Sequence, residues 1–234
     1  MTDSLRADLV TANHVLANEG ILGGVGHVSV RDPDADAMFI SRSRSPAFVA
    51  ESDVIRMAFD GTVLDGSDAR PYKETVIHRA IYRARDDVNA VVHHHAPSVI
   101  PYTVTDVEVR PVFHMAAIFG DGVPTFEDYD AEFGRLIVTE AEGDRMAAVL
   151  GDHRAQLLAG HGSNVVGAGL EEAVLSTLAL VMNCQYQFQA ELLGGVQYFD
   201  DAEALSTTVE EAVLAPMVVE RLWEYYSRRL PERD

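Results

Sequence analysis

Val88-Asn89-Ala90-Val91-Val92-His93-His94-His95 opens as a short run rich in β-branched side chains and closes on three consecutive histidines. The run Val88 to Val92 reads as a strand with the histidines at its end. In an extended backbone successive side chains point to opposite faces, so His93 and His95 share a face and His94 points away. Two imidazoles on one face can chelate one ion, and neutral imidazole is a common metal ligand. A catalytic metal that keeps an open position asks for a third protein ligand. His161, in Leu157-Leu158-Ala159-Gly160-His161-Gly162, is the candidate, because it follows a short apolar strand and its flanking glycines let the backbone approach closely.

Working outward from the histidines, the hydrophobic period switches several times. Leu5, Leu9, Ala12 and Leu16 fall at helical spacing, with Asp3 or Ser4 to cap the start and Gly20 to end it. From Gly23 the pattern alternates: Val28 and Val30, then Met38 to Ser41, then Val54 to Phe59, which turns at Asp60-Gly61 into Thr62 to Leu64. Glu74 to Arg85 returns to helical period through Ile77, Ala80 and Ile81. Downstream, Arg110 to Met115, Gln156 to Ala159 and Asn164 to Gly167 read as strands, and Glu142 to Leu150 as a helix. Leu170 to Leu193 reads as one long helix stopped by Gly194-Gly195, and Val209 to Arg229 as a last helix carrying Trp223, Tyr225 and Tyr226. Hairpin-like strands with helices segregated around them predict an α/β protein of three layers rather than an alternating parallel βαβ series. One domain over residues 1–234 is expected, with a C-terminal helical segment at about 205–230.

Composition narrows the function. Eighteen basic and thirty-seven acidic residues leave a net charge of −19, a field that repels phosphate backbones and anionic membranes, so nucleic acid and membrane are not expected partners. Lys73 is the only lysine, which confines any Schiff-base chemistry through lysine to that position. Cys184 is the only cysteine, so an intramolecular disulfide or a multi-cysteine metal site is excluded. No segment has the apolar core of a signal peptide or the about 20 apolar residues of a membrane span, which reads as a cytoplasmic protein.

Glu74 stands in Arg70-Pro71-Tyr72-Lys73-Glu74, at the opening of a helix where a carboxylate ordinarily compensates the dipole. Beside a three-histidine site, a carboxylate not needed as ligand is the natural acid/base.

Taken in order, Gly26-His27-Val28-Ser29-Val30-Arg31, Asp60-Gly61, Pro71-x-x-Glu74, His93-x-His95 and Gly160-His161-Gly162 resemble the class II aldolase/adducin family over about residues 5 to 200. The resemblance implies a three-layer αβα domain with a central antiparallel sheet, assembled as a homotetramer with active sites between subunits. It implies that His93, His95 and His161 bind a divalent metal and that Glu74 is the acid/base. The sugar-phosphate aldolases of that family cradle phosphate with a Gly-Asn-x-Ser segment, a Thr-x-x-Gly turn and a Ser-Ser pair. Here those places read His27, Ser41-Arg42-Ser43-Arg44 and Tyr72-Lys73, so cations are expected to replace small donors. Guanidinium groups suit bidentate recognition of carboxylate.

This pattern, with Arg110-Pro111-Val112-Phe113-His114-Met115 downstream, is similar to the decarboxylase branch of the family. The resemblance implies decarboxylation of a hydroxylated aromatic dicarboxylate of the 3,4-dihydroxyphthalate or 3-hydroxy-2-methylpyridine-4,5-dicarboxylate type, with Mn2+ or Zn2+ as cofactor. His27, Ser41, Arg42, Ser43, Arg44, Lys73 and His114 are the expected substrate-binding residues, with Arg42, Arg44 or Lys73 gripping the retained carboxylate. The alternative is a metal-dependent aldolase or epimerase of a small sugar phosphate.

Overall fold

Short apolar runs of period two build the middle layer, and in the computed structural model, which describes residues 2–66, 68–199 and 201–231, they pair into one sheet. The strands are β1 (His27–Arg31), β2 (Ala37–Ser41), β3 (Val54–Ala58), β4 (Ala90–His94), β5 (Thr125–Phe126), β6 (Ala155–Leu158) and β7 (Gly162–Gly167). Their order across the sheet is β3-β2-β1-β4-β7-β6-β5, antiparallel throughout except where β5 runs parallel to β6. Helices α1 (Thr2–Asn18), α2 (Thr75–Ala84), α3 (Glu140–Leu150), α4 (Leu170–Leu192), α5 (Ala202–Thr208) and α6 (Pro216–Arg228) complete the set.

Strand alternation splits the core in two. Val28, Val30, Val92 and Val165 pack with Leu9 and Leu16 of α1 and with Val174 and Leu178 of α4. Their neighbours one residue away, Val91 and Val166, face Val76, Ile77 and Ile81 of α2 and Met146 of α3. The result is the αβα sandwich that the resemblance implies, with the three layers that the periodicity predicts. No helix among the described residues is long and apolar enough to cross a membrane, and Cys184 is buried within α4.

Four local readings change. Arg110 to Met115 is not a strand. Its chain is bonded instead by two amide side chains of α4: Asn183 accepts from the Val112 N–H (2.9 Å) and donates to the Arg110 carbonyl (2.9 Å), and Gln187 accepts from the Arg110 N–H (3.1 Å). Those bonds stand in for a neighbouring strand, and a 3-10 turn follows at His114–Phe119. Second, the hairpin at Asp60-Gly61 forms, with Gly61 at a φ of +93°, but Thr62 to Leu64 holds only one bridge, Met57 to Val63. Third, the two-residue β5 carries no period from which to be read. Fourth, the last helix is broken: α5 and a π turn at Val209–Val213 end before Pro216, which opens α6 as its first residue. Proline has no N–H for a helix interior and disfavours helical backbone in the residue before it, so one continuous helix over Val209 to Arg229 is excluded.

The corner between β2 and β3 sets the wall of the cavity described below. Asp53, 3% exposed, accepts from Arg42 Nε at 2.6 Å, from the Ala50 N–H at 2.9 Å and pairs with Arg44 at 3.2 Å. Burial raises the Asp53 pKa, but the Ala50 N–H and the Arg42 and Arg44 guanidiniums outweigh it and hold the carboxyl below its ordinary range. A depressed folded-state pKa contributes stability that is present above the unfolded value of about 3.9 and is lost as pH falls through the folded value. Asp53→Asn is therefore expected to lower unfolding free energy by about 1–3 kcal/mol at neutral pH, with the gap to wild type closing below about pH 4. Urea unfolding of both proteins across that range measures it, and a gap independent of pH would remove the charged clamp.

Candidate metal centre and active site

The register of β1, β4 and β7 lines up polar residues on the side of the sheet that faces α2 and α3. His27 lies opposite His93, and His93 opposite Asn164. These side chains are buried, and a buried polar group without a partner costs about 1–3 kcal/mol. Each is bonded: His27 to His78 of α2, His93 Nδ1 to Asn164 Oδ1 at 2.8 Å, and Asn164 Nδ2 to Gln156 Oε1 at 3.3 Å. The bond to Asn164 puts the His93 hydrogen on Nδ1 and leaves the Nε2 lone pair free.

That lone pair faces His95, just beyond the end of β4, whose Nε2 is 3.1 Å away. His161, in the tight connection from β6 to β7, completes the group. Its ring centroid is 5.0 Å from those of both His93 and His95, and one nitrogen from each of the three lies within 4.8 Å of the others. Gly162 permits this approach. A Cβ there would sit 2.4 Å from the His94 carbonyl oxygen and 2.9 Å from the His95 ring, distances that backbone cannot relieve without moving the strand. His94 points to the opposite face, as alternation requires, and accepts from the Ala96 N–H.

Burial lowers the pKa of all three imidazoles, with neighbouring histidines adding to it for His93 and His161, and His161 falls to about 4. Neutral rings with lone pairs converging on one point are the donor set of a divalent cation. Among the described residues the second ring nitrogen of His95 is buried and has no hydrogen-bond partner. The residues fit such an ion, and imidazole donors suit zinc and accommodate manganese.

Glu74, the residue that precedes α2, turns into the same space. Its Oε1 accepts from the Ile137 N–H at 3.0 Å and its Oε2 lies 3.8 Å from His161 Nε2. Burial raises its pKa to about 7 against the Ile137 bond, with repulsion from Glu142 adding to the rise. Glu74 also forms, with His27 and His93, a second group of potential ligand atoms within 4.8 Å.

A cavity of about 610 Å³ opens over these groups, lined among others by His27, Arg44, Lys73, Glu74, His95 and His161. The structure thus brings together Glu74, His27, Ser43, Arg44, Lys73 and the histidine cluster, and leaves three expected residues aside. Arg42 lies outside the lining and is held by Asp53. Ser41 is buried and pairs with the Tyr72 hydroxyl at 3.2 Å. His114 is exposed at the start of its 3-10 turn, against Phe113 rather than the cavity. Arg42 and Arg44 do not share a strand face, because β2 ends at Ser41. Ser43 and Ser45 line the mouth, so small hydroxyls accompany the cations rather than vanish.

Tyr72 was legible only as a replaced serine, yet its ring lies tilted against that of His27, 4.7 Å between centroids, and its hydroxyl donates to the Arg44 carbonyl, joining the cationic wall to the floor. Asn164 and His78 carry no motif. Their signal is a polar residue on the apolar face of a strand or helix.

Residues 7–188 match the family model described as Class II Aldolase and Adducin N-terminal domain. The chain is 30% identical over 194 residues to a protein named Decarboxylase tropJ from Talaromyces stipitatus, covering 76% of this chain and 73% of that one. It is 29% identical over 204 residues to a 3,4-dihydroxyphthalate decarboxylase from Arthrobacter keyseri, covering 81% and 80%. Among solved structures, an L-fuculose 1-phosphate aldolase from Glaciozyma antarctica superposes with a TM-score of 0.80 at 24% identity, over 96% of this chain and 87% of that one, a likeness of fold.

Because Asn164 orients His93, Asn164→Ala is expected to weaken metal affinity about 10–100-fold while the protein stays folded. Competition of zinc between the protein and a chromophoric chelator reads this out, and unchanged affinity would show that His93 needs no such support.

Proposed function

Since the chain belongs to the class II aldolase and adducin family, we propose that it is a metal-dependent decarboxylase of a hydroxylated aromatic dicarboxylate, of the dihydroxyphthalate or hydroxypyridine-dicarboxylate type. The observation that carries this reading is the presence of Arg44 and Lys73 in the lining of the cavity that holds Glu74 and the histidine cluster. Asp53 spreads one negative charge over two guanidiniums, and Lys73 makes no hydrogen bond or ion pair among the described residues, so the mouth keeps a positive excess. Such a mouth selects an anion, and two relatives named as decarboxylases support a carboxylate.

His93, His95 and His161 would hold Mn2+ or Zn2+, which supplies a Lewis acid for the ring hydroxyl and the adjacent carboxylate. Lys73 and Arg44 would grip the carboxylate that is retained and so decide which one leaves. When the other departs as CO2, its bonding pair stays with the ring and a proton must reach the ring carbon. Glu74, anchored by Ile137 on one oxygen and with the other turned toward His161, would deliver that proton. A homotetramer with active sites between subunits belongs to the same reading, supported by the exposed Phe188, Leu192 and Leu193 at the end of α4.

The test is CO2 release by the purified protein, loaded separately with manganese and zinc, from 3,4-dihydroxyphthalate, the hydroxypyridine dicarboxylate and monocarboxylate controls. Turnover of a dicarboxylate and of no monocarboxylate is expected. Absence of CO2 from all of them with metal bound would return the cavity to aldol chemistry on a sugar phosphate. Glu74→Gln should keep its metal and lose turnover about 10²-fold or more. Near wild-type turnover would remove Glu74 from the reaction.

A further inference from the structure

Beneath the cavity floor, between the sheet and α2, four buried side chains form one unbranched row of hydrogen bonds. His27 Nδ1 lies 2.6 Å from His78 Nε2, His78 Nδ1 lies 2.6 Å from Ser29 Oγ, and Ser29 Oγ lies 2.7 Å from the Tyr82 hydroxyl. His78 is fully buried and His27 is 3% exposed, a setting that keeps an imidazole neutral. Each contact between two neutral groups holds one hydrogen, so the row has only two polarities, with every hydrogen pointing one way or the other.

The far end selects between them. The Tyr82 hydroxyl is fully buried, and Ser29 Oγ is the one acceptor beside its hydrogen among the described residues. The Tyr82 hydroxyl therefore donates to Ser29, Ser29 donates to His78 Nδ1, and His78 donates from Nε2 to His27 Nδ1. The reverse order would bury the Tyr82 hydrogen with no acceptor, an arrangement that folded proteins avoid. With Nδ1 accepting, the remaining His27 hydrogen sits on Nε2, at the other edge of the ring. That edge belongs to the cavity, where the His27 ring stacks 4.9 Å from His93 and lies beside Glu74.

We infer that His27 is a hydrogen-bond donor locked in its Nε2–H tautomer by the Tyr82–Ser29–His78 row, directed at an anionic oxygen in the cavity and excluded from the metal's ligand set. His27 is then a binding residue, while His78, Ser29 and Tyr82 are positioning residues that act through it. The group of His27, Glu74 and His93 is accordingly not a second metal site, since a ligating nitrogen must offer a lone pair. The identity of the oxygen as a substrate carboxylate or phenolate rests on the function proposed above; the tautomer does not.

Proton–nitrogen correlation spectra of protein labelled with 15N-histidine test this without turnover, with the His27 ring assigned by the signals lost in His27→Asn. A pyrrole-type Nε2 and a pyridine-type Nδ1 are expected for His27. Adding one equivalent of Zn2+ should move the ring signals of His93, His95 and His161 and leave the His27 Nε2–H in place. Ser29→Ala should release the lock and show both His27 tautomers in exchange. A pyridine-type Nε2 in the wild-type protein, loss of the Nε2 hydrogen on zinc addition, or a single unchanged tautomer in Ser29→Ala would each overturn the inference. Failure of CO2 release would leave these spectra as they are and would revise only the oxygen's identity.

Discussion

Three imidazole rings stand with centroids 4.7 to 5.0 Å apart at the end of β4 and the turn into β7, largely out of water. This crowding is tolerable only while every ring is neutral, because a charge placed on one would be poorly solvated and would raise the cost of charging the next. Neutrality leaves lone pairs converging on a single space. The burial that forbids a proton there thus creates an environment completed by a cation from outside the chain. The sheet serves that arrangement: the pairing of β4 with β1 and β7 places His27, His93 and Asn164 in one row, and Gly162 gives the backbone room to bring His161 against His95.

Electrostatics at the cavity mouth runs against the protein's average. A chain of net charge −19 would repel a small anion at long range, but exposed charges beyond the Debye length of about 8–10 Å are largely screened. What an entering ligand meets is local, namely Arg44, Lys73 and the donors around them. Asp53 organises that wall. By holding both arginines it converts two flexible chains into one fixed corner and sacrifices only part of their charge.

The floor and the wall are built by different physics. Under the floor, neutral hydrogen bonds in a row set where single hydrogens sit, and the Tyr82 end of the row governs what His27 presents more than 50 positions earlier in the chain. At the wall, ion pairs from two partly exposed arginines to the buried Asp53 set position. Tyr72 bridges the two, its ring against His27 and its hydroxyl against Ser41 and Arg44.

Much of this was legible in the chain, because it depends on neighbours in sequence. Period two placed His93 and His95 on one face, glycines marked His161, and the change to helical period set Glu74 at the head of α2. The helical period over Val209 to Arg229 runs straight through Pro216, whose missing N–H is the one local signal of the break that the folded chain shows. Other features depend on residues far apart in the chain. The bonds that replace a strand partner for Arg110 and Val112 come from Asn183 and Gln187, 71 and 77 positions away. Asp53's capture of Arg42 and Arg44, and the His78 bond to His27, follow no local period. A hydrogen bond acts over about 3 Å, so only the folded chain decides which polar groups meet. The sequence by itself determined the layers and the three histidines; the tertiary structure decided the partners, the net charge at the mouth and the hydrogen on His27.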